Sequence, residues 1–323
     1  MTDTFVPSFP SVFDSSIMAT FKSCARKFEL EYLNHWKPKT PSVHLHAGGA
    51  FARGLEVARD SFYVQGQSAE DAVALGLAAL IAYYGDFECP ADSAKSLERM
   101  CGAFEFYFQH YPLMEGVDEP ITLPSGRRGI EFSFANPLPV DHPETGEPII
   151  YCGRLDAILN FAGGVYLCDE KTTSQLGASW SRQWDLRSQF TGYAWGCREM
   201  GIRVDGALVR GISILKTKYD TQQAISYRPE WHVDRWLSET CDWIEDAIRM
   251  WKKKYWRHNL DHSCAEYGGC SMRQICLTQD PQPWLETYFE RRVWDPIART
   301  ENLVGGRAVA QDNSLPAGIV VDV

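Results

Sequence analysis

Apolar and polar residues alternate through two neighbouring runs, Tyr151 to Phe161 and Val165 to Lys171, with turn chemistry at Ala162-Gly163-Gly164 between them. The pair therefore reads as a β-hairpin. A further strand is expected over 205–217, with 223–227 continuing the sheet, and a hairpin over 117–135 that turns at Pro124-Ser125-Gly126. Helical spacing predicts a first helix over 15–33, capped by Ser15 or Ser16 and buried along Ile17, Phe21, Cys24, Phe28 and Leu30 to Tyr32. More helices are expected over 47–65, 68–85, 93–110, 184–200 and 231–256. This order divides the chain into a helical N-terminal region (1–115), an α/β core (116–230), a C-terminal helix with a cysteine module (231–297) and a tail (298–323).

The chain of 323 residues is 45% hydrophobic, enough for a sizeable core. Its start lacks a basic segment followed by an apolar one, and no run approaches a membrane span, so a cytoplasmic protein without a membrane partner is expected. The net charge of -10 argues mildly against non-specific nucleic-acid binding. Basic clusters survive at Arg26-Lys27, Lys37 to Lys39, Arg127-Arg128, Lys216 to Lys218 and Lys252 to Lys254. Each reads first as a solvated face, with phosphate contact as the alternative.

Two features carry chemistry. Asp156, in Gly153-Arg154-Leu155-Asp156, precedes Asp169-Glu170-Lys171 by 13 residues, so the hairpin brings both aspartates to one sheet edge. Paired carboxylates suit a hard divalent cation, and Lys171 shares a strand face with Asp169. An ordinary hairpin cap beside a polar strand end is the competing reading. The second feature is Cys264, Cys270 and Cys276 at six-residue intervals, with Cys24 the remaining candidate for a fourth ligand. Such a set would staple the two ends of the chain, and four cysteines bind zinc readily. His262 could replace a thiolate or simply shape a turn. Cys89, Cys101, Cys152, Cys168, Cys197 and Cys241 read as small packing residues.

Gly153-Arg154-Leu155-Asp156 and Asp169-Glu170-Lys171-Thr172-Thr173 resemble the G-x-x-D and D-x-K-T motifs of the PD-(D/E)XK nucleases, in the RecB-like branch that includes CRISPR adaptation nucleases and many phage exonucleases. The resemblance implies a restriction-endonuclease-like α/β core, a mixed central sheet flanked by helices. It also implies a deoxyribonuclease dependent on Mg²⁺ or Mn²⁺, an exonuclease rather than an endonuclease, acting on DNA ends that include single strands. The stretch Ala47 to Glu56 is similar to the first motif of that family, keeping Glu56 but carrying Ala52 where many relatives have a metal-binding histidine. The implied metal ligands are then all oxygens: Asp156, Asp169, the backbone carbonyl of Glu170, and Glu56 directly or through water.

In the same resemblance Lys171 would position or deprotonate the attacking water; strand alternation puts the Glu170 side chain on the face away from Asp169 and Lys171. Gln189 and Tyr193 match a Q-x-x-x-Y motif that would contact DNA. Cys24, Cys264, Cys270 and Cys276 match a family arrangement of one cysteine before the core and three after it, around a 4Fe-4S cluster; the spacing here is C-x5-C-x5-C rather than the familiar C-x2-C-x5-C. Zinc stays open as the alternative. Glu131 reads as a surface strand residue, with approach to the site as the alternative, and Trp180 and Trp184 as base-stacking or packing residues. Two other functions stand beside the nuclease. One is a weakly cleaving DNA-processing scaffold or partner-dependent nuclease subunit, and the other is a zinc-stapled protein-interaction module. Recombination, repair and phage DNA processing, with their protein partners, all fit.

Overall fold

The structure is a computed structural model that describes residues 5–40, 42–265 and 269–298. The expected tail from residue 299 onward lies outside the described residues. The described chain forms two compact units, one taking in the chain up to Pro41, Ala135–Gly153 and the chain from Arg235, the other Ser42–Phe134 and Arg154–Asp234.

The first unit opens with strand β1 (Val12–Phe13) and helix α1 (Ser15–Ser23). Its cap is Asp14 rather than a serine, whose Oδ1 accepts the Ile17 N–H at 2.7 Å. The single helix expected over 15–33 is interrupted: Cys24 is extended (φ -162°, ψ 116°), and the chain resumes as α2 (Ala25–Phe28) and a π-helical turn (Glu29–Leu33). Periodicity misses this break because its cause is distant in sequence. It lets Arg26 N–H bond the Arg257 carbonyl at 3.1 Å and Asn259 N–H bond Cys24 Sγ at 3.4 Å. Strand β2 (Trp36–Pro38) follows.

In the second unit, α3 (Val43–Tyr63) and α4 (Ala69–Tyr84) lie against each other at Gly54 and Gly76. A Cβ on Gly76 would stand 2.6 Å from the Gly54 carbonyl oxygen and 2.8 Å from Ala58 Cβ. Gly76→Ala should therefore lower stability by about 1–3 kcal/mol despite alanine's better helix propensity, read as a lower urea midpoint. With α5 (Leu97–His110), these helices bury Phe51, Leu55, Leu80, Met100 and Phe104 against Ile212 and Ile214.

Strands β3 (Ile130–Asp141), β4 (Pro148–Phe161) and β5 (Gly164–Thr173) follow, then α6 (Ala178–Arg182), α7 (Ser188–Glu199), β6 (Gly206–Ile214), β7 (Tyr219–Tyr227) and α8 (Glu230–Lys253). The hairpin expected over 117–135 is present as a short one that turns at Pro124-Ser125-Gly126: Thr122 bridges Arg128, Leu123 N–H bonds the Arg127 carbonyl at 2.7 Å and Gly129 N–H the Ile121 carbonyl at 2.8 Å, and Pro120 bridges Leu159 before β3 begins. Sheet order is β4-β5-β6-β7 with β3 also on β4; β5 and β6 are parallel, while β4–β5 and β6–β7 are antiparallel. The sheet is mixed.

Register assigns its faces. Glu170 pairs with Arg210 and Lys171 with Gly211 across β5 and β6. The Glu170 face meets α3 and α5 through Arg59 and Tyr107, and the Lys171 face meets Trp180 of α6 beside Gly211. Helices thus cover both faces of an α/β core. The first unit is completed by α9 (His262–Ala265), α10 (Arg273–Leu277), α11 (Gln282–Tyr288) and β8 (Phe289–Arg291), which pairs antiparallel with β2; β1 pairs parallel with Ile150 and Tyr151 of β4. Among the described residues no helix is long and apolar enough to cross a membrane.

Candidate active site

The β4–β5 hairpin sets the geometry. Ala162 (φ 48°) and Gly163 (φ 82°) are both left-handed, the two-residue turn whose twist matches paired strands. It fixes a register running from Phe161 opposite Gly164 to Ala157 opposite Cys168. One step further, Asp156 faces Asp169. Asp156 Oδ2 accepts the Glu170 N–H at 2.9 Å, which ties the first carboxylate to the strand that carries the second.

Their charges crowd each other. Removal from water pushes the Asp156 carboxyl well above its ordinary value, and the charges of Asp169, Glu170 and Glu131 push the same way against Lys171. Asp169 is only 5% exposed. Burial raises its carboxyl too, opposed by Lys171. Its Oδ1 lies 2.5 Å from Lys171 Nζ, a close ion pair. Burial also disfavours the Lys171 ammonium, but Asp169 and Asp156 together hold its proton on. Two crowded carboxylates, both raised by burial and by neighbouring negative charge, fit a divalent cation.

Glu170 faces the other way. Its carboxylate, 2% exposed, receives both terminal nitrogens of Arg59 together with Tyr107 OH at 2.9 Å and Cys168 Sγ at 3.2 Å. Burial alone would raise this carboxyl, yet Arg59 holds it down at about 2. On the same face Arg210 pairs with Asp118 and lies over the Tyr111 ring at 4.4 Å.

Glu56 projects from α3 and its Oε2 lies 2.7 Å from Arg53 Nη1 and 3.8 Å from Arg154 Nη2. Glu131 is not on the surface. It is buried, and its carboxylate accepts from Arg154 Nε. Burial raises the Glu131 carboxyl to about 7, with Arg154 opposing and Glu56 adding to the rise. Glu56, Glu131, Asp156 and Asp169 are thus linked electrostatically, with Arg154 and Lys171 among them.

Gln189 and Tyr193 lie one turn apart on α7, and Gln189 Nε2 donates to Tyr193 OH at 3.0 Å. Tyr193 packs edge-on against Phe134 and Phe190. Trp180 and Trp184 are both 6% exposed and meet edge to face, which makes them packing residues rather than a stacking platform. Sequence reasoning passed over Arg187, the exposed residue just before α7 whose charge acts on both Asp169 and Lys171. The signal was there: a basic residue opening the helix that carries Gln189. Lys95 was also missed; this buried lysine donates to Thr172 Oγ1 at 2.7 Å, immediately after Lys171.

The cysteine set lies within the first unit. Cys24 sits at the break between α1 and α2, Cys264 in α9, Cys276 in α10, and the Cys270 N–H bonds the Cys264 carbonyl at 3.1 Å. Burial pushes the Cys276 thiol up, and Cys270, Cys24 and Cys264 reinforce that rise while Arg26 opposes it. All four sulfurs are therefore within electrostatic reach. Among the described residues no three His, Cys, Asp or Glu side chains are already closed about one point. A set of four thiols with a backbone N–H on one sulfur has the donor chemistry of an iron–sulfur or zinc site. Of the other cysteines, Cys152, Cys168 and Cys197 are buried and Cys89, Cys101 and Cys241 partly so.

No curated protein matches the chain. The crystal structure of SSO0001 aligns over 64% of this chain and 80% of that one, at 14% identity and a TM-score of 0.28, too distant a likeness to support any assignment. The family model of the PD-(D/E)XK nuclease superfamily matches residues 15–277. With that match over most of its length and a mixed sheet flanked by helices, this chain belongs to the PD-(D/E)XK nuclease superfamily, whose members are metal-dependent nucleases.

Proposed function

We propose that this protein is a Mg²⁺- or Mn²⁺-dependent deoxyribonuclease of the RecB-like branch, which degrades DNA from its ends and carries a 4Fe-4S cluster on Cys24, Cys264, Cys270 and Cys276. The observation that carries the activity is the meeting of Asp156, Asp169 and Lys171 at one edge of the β4–β5 hairpin. Asp156, Asp169 and the Glu170 carbonyl would hold the cation, with Glu56 contributing directly or through water. A bound divalent cation supplies Lewis-acid polarisation of the phosphoryl group and a more acidic water. Lys171 keeps its proton beside Asp169 and so acts first by positioning the water and stabilising phosphoryl charge. With Ala52 in place of a histidine, the donor set is all oxygen, which suits Mg²⁺. Gln189 and Tyr193, already bonded to each other, would contact the DNA backbone.

A second reading has its own support. Arg53 takes up Glu56 at 2.7 Å and Ala52 offers no ligand, which favours a partner-dependent subunit or weakly cleaving scaffold that gains activity in a complex. End-labelled linear DNA and a covalently closed circle of the same sequence, incubated with Mg²⁺ or Mn²⁺, separate the readings. Loss of the linear form alone supports an exonuclease, nicking of the circle an endonuclease, and no cleavage the partner-dependent subunit.

Anaerobically purified protein should contain about four iron atoms and matching sulfide per chain, and Cys264→Ser should lower both. Zinc in their place would favour the interaction module and would count against the cluster. Because such a site ties together distant parts of the chain, Cys264→Ser should also unfold at lower urea.

A further inference from the structure

We propose that Arg154 grips a phosphate of the DNA strand being cut and that Glu131 is the positioning residue that aims it. The grip presupposes the nuclease activity proposed above. Arg154 and Asp156 are two residues apart on β4, so their side chains leave the same face of the strand. The Arg154 side chain is 42% exposed, bonds Glu131 through Nε and brings Nη2 to 3.8 Å from Glu56. A buried carboxylate at Nε fixes the plane of the guanidinium, and a guanidinium fork so aimed matches two phosphate oxygens.

The backbone of Glu131 is the second observation. It has φ 49° inside β3, a left-handed conformation for a buried residue that is not glycine. Ile130, Glu131 and Phe132 are consecutively buried, so the strand's alternation fails at this one position and the carboxylate turns inward to Arg154. Strained residues of this kind cluster where a side chain must be aimed. A mere counter-ion for the site's carboxylates would need neither the Nε tie nor the inverted backbone.

Lysine at position 154 keeps the charge but loses the fork, whereas Glu131→Gln keeps the Arg154 charge but weakens its anchor. Single-turnover cleavage of an end-labelled oligonucleotide would be compared for wild type, R154K, R154Q and E131Q. Binding of the same oligonucleotide would be followed by fluorescence anisotropy across a KCl series, with each change made in an Asp169→Asn background. R154Q should slow cleavage about a hundredfold, with R154K recovering only part of it. E131Q should slow cleavage about tenfold, less than a full misplacement. R154Q should also lower the salt slope of binding by about one, while E131Q leaves that slope unchanged. Full recovery by R154K would reduce Arg154 to a counter-ion and overturn the grip. So would an R154Q protein with the wild-type single-turnover rate and salt slope. If wild-type protein alone cuts no DNA, the reading as a self-sufficient nuclease fails by itself in favour of the partner-dependent subunit, and the slope then decides for or against the grip.

Discussion

Asp156→Asn is expected to slow DNA cleavage by about a thousandfold or more while raising the stability of the metal-free protein. The two effects have one source. Asp156 stands beside the negative charges of Asp169, Glu170 and Glu131, which together with burial outweigh the relief from Lys171 and Arg154, so its carboxylate is poorly accommodated unless a cation arrives. Asparagine removes that crowding and can still accept the Glu170 N–H through its side-chain oxygen, so the bond seen at 2.9 Å need not be lost. Three decades of rate correspond to about 4 kcal/mol of transition-state stabilisation, within what one essential ligand of a catalytic cation supplies. Single-turnover cleavage and urea unfolding in the presence of a chelator would be measured on the same preparation. Cleavage near the wild-type rate would remove Asp156 from the metal site, and a lower urea midpoint would show that its carboxylate supports the fold. Lys171→Met is a poorer probe, because it also strips Asp169 of its cation 2.5 Å away and mixes lost stability with lost chemistry.

What could be read from the sequence divides along the range of the forces involved. The β4–β5 hairpin was expected over 151–161 and 165–171 and is found at Pro148–Phe161 and Gly164–Thr173, because alternation and turn residues are local signals. The spacing of Asp156 and Asp169 follows from the same register. Cys24 was assigned to a continuous helix, whereas bonds from residues 257–259 to its neighbourhood break that helix. Glu131 looked like a surface residue because strand alternation presumes a constant backbone, and its left-handed φ breaks that premise. Trp180 could have stacked on a base as readily as packed in a core until Gly211, on a strand 31 residues later in the chain, was seen to make room for it. Arg59 gave no local signal at all. In Val57-Ala58-Arg59-Asp60 it is one more charged helix position, and only the fold reveals that its partner is Glu170.

That pairing supports the second large effect. Arg59→Met should destabilise the protein by about 3–5 kcal/mol, because it leaves the buried Glu170 carboxylate without its bidentate cation and with only the charge of Arg210 acting on it. Tyr107 OH and Cys168 Sγ would still donate to it, but neither carries charge. Replacing both partners, Arg59→Met with Glu170→Met, should recover most of that loss, since an apolar pair of similar volume avoids the desolvation of two ions. Activity should not recover with it. Arg59 lies one turn after Glu56 on α3, and Glu170 lies between Asp169 and Lys171 on β5, so the bidentate pair fixes two elements that both supply the site. Met–Met contact is soft in distance and direction, and a displacement of about 1 Å between such groups costs on the order of a hundredfold in rate. A double-mutant cycle in urea stability, run beside the same cycle in cleavage rate, separates the two roles. Strong coupling in stability with a double variant that folds well and cuts poorly is the expected result. A double variant that regains both would make the Arg59–Glu170 pair a packing device that any well-fitted apolar pair could replace.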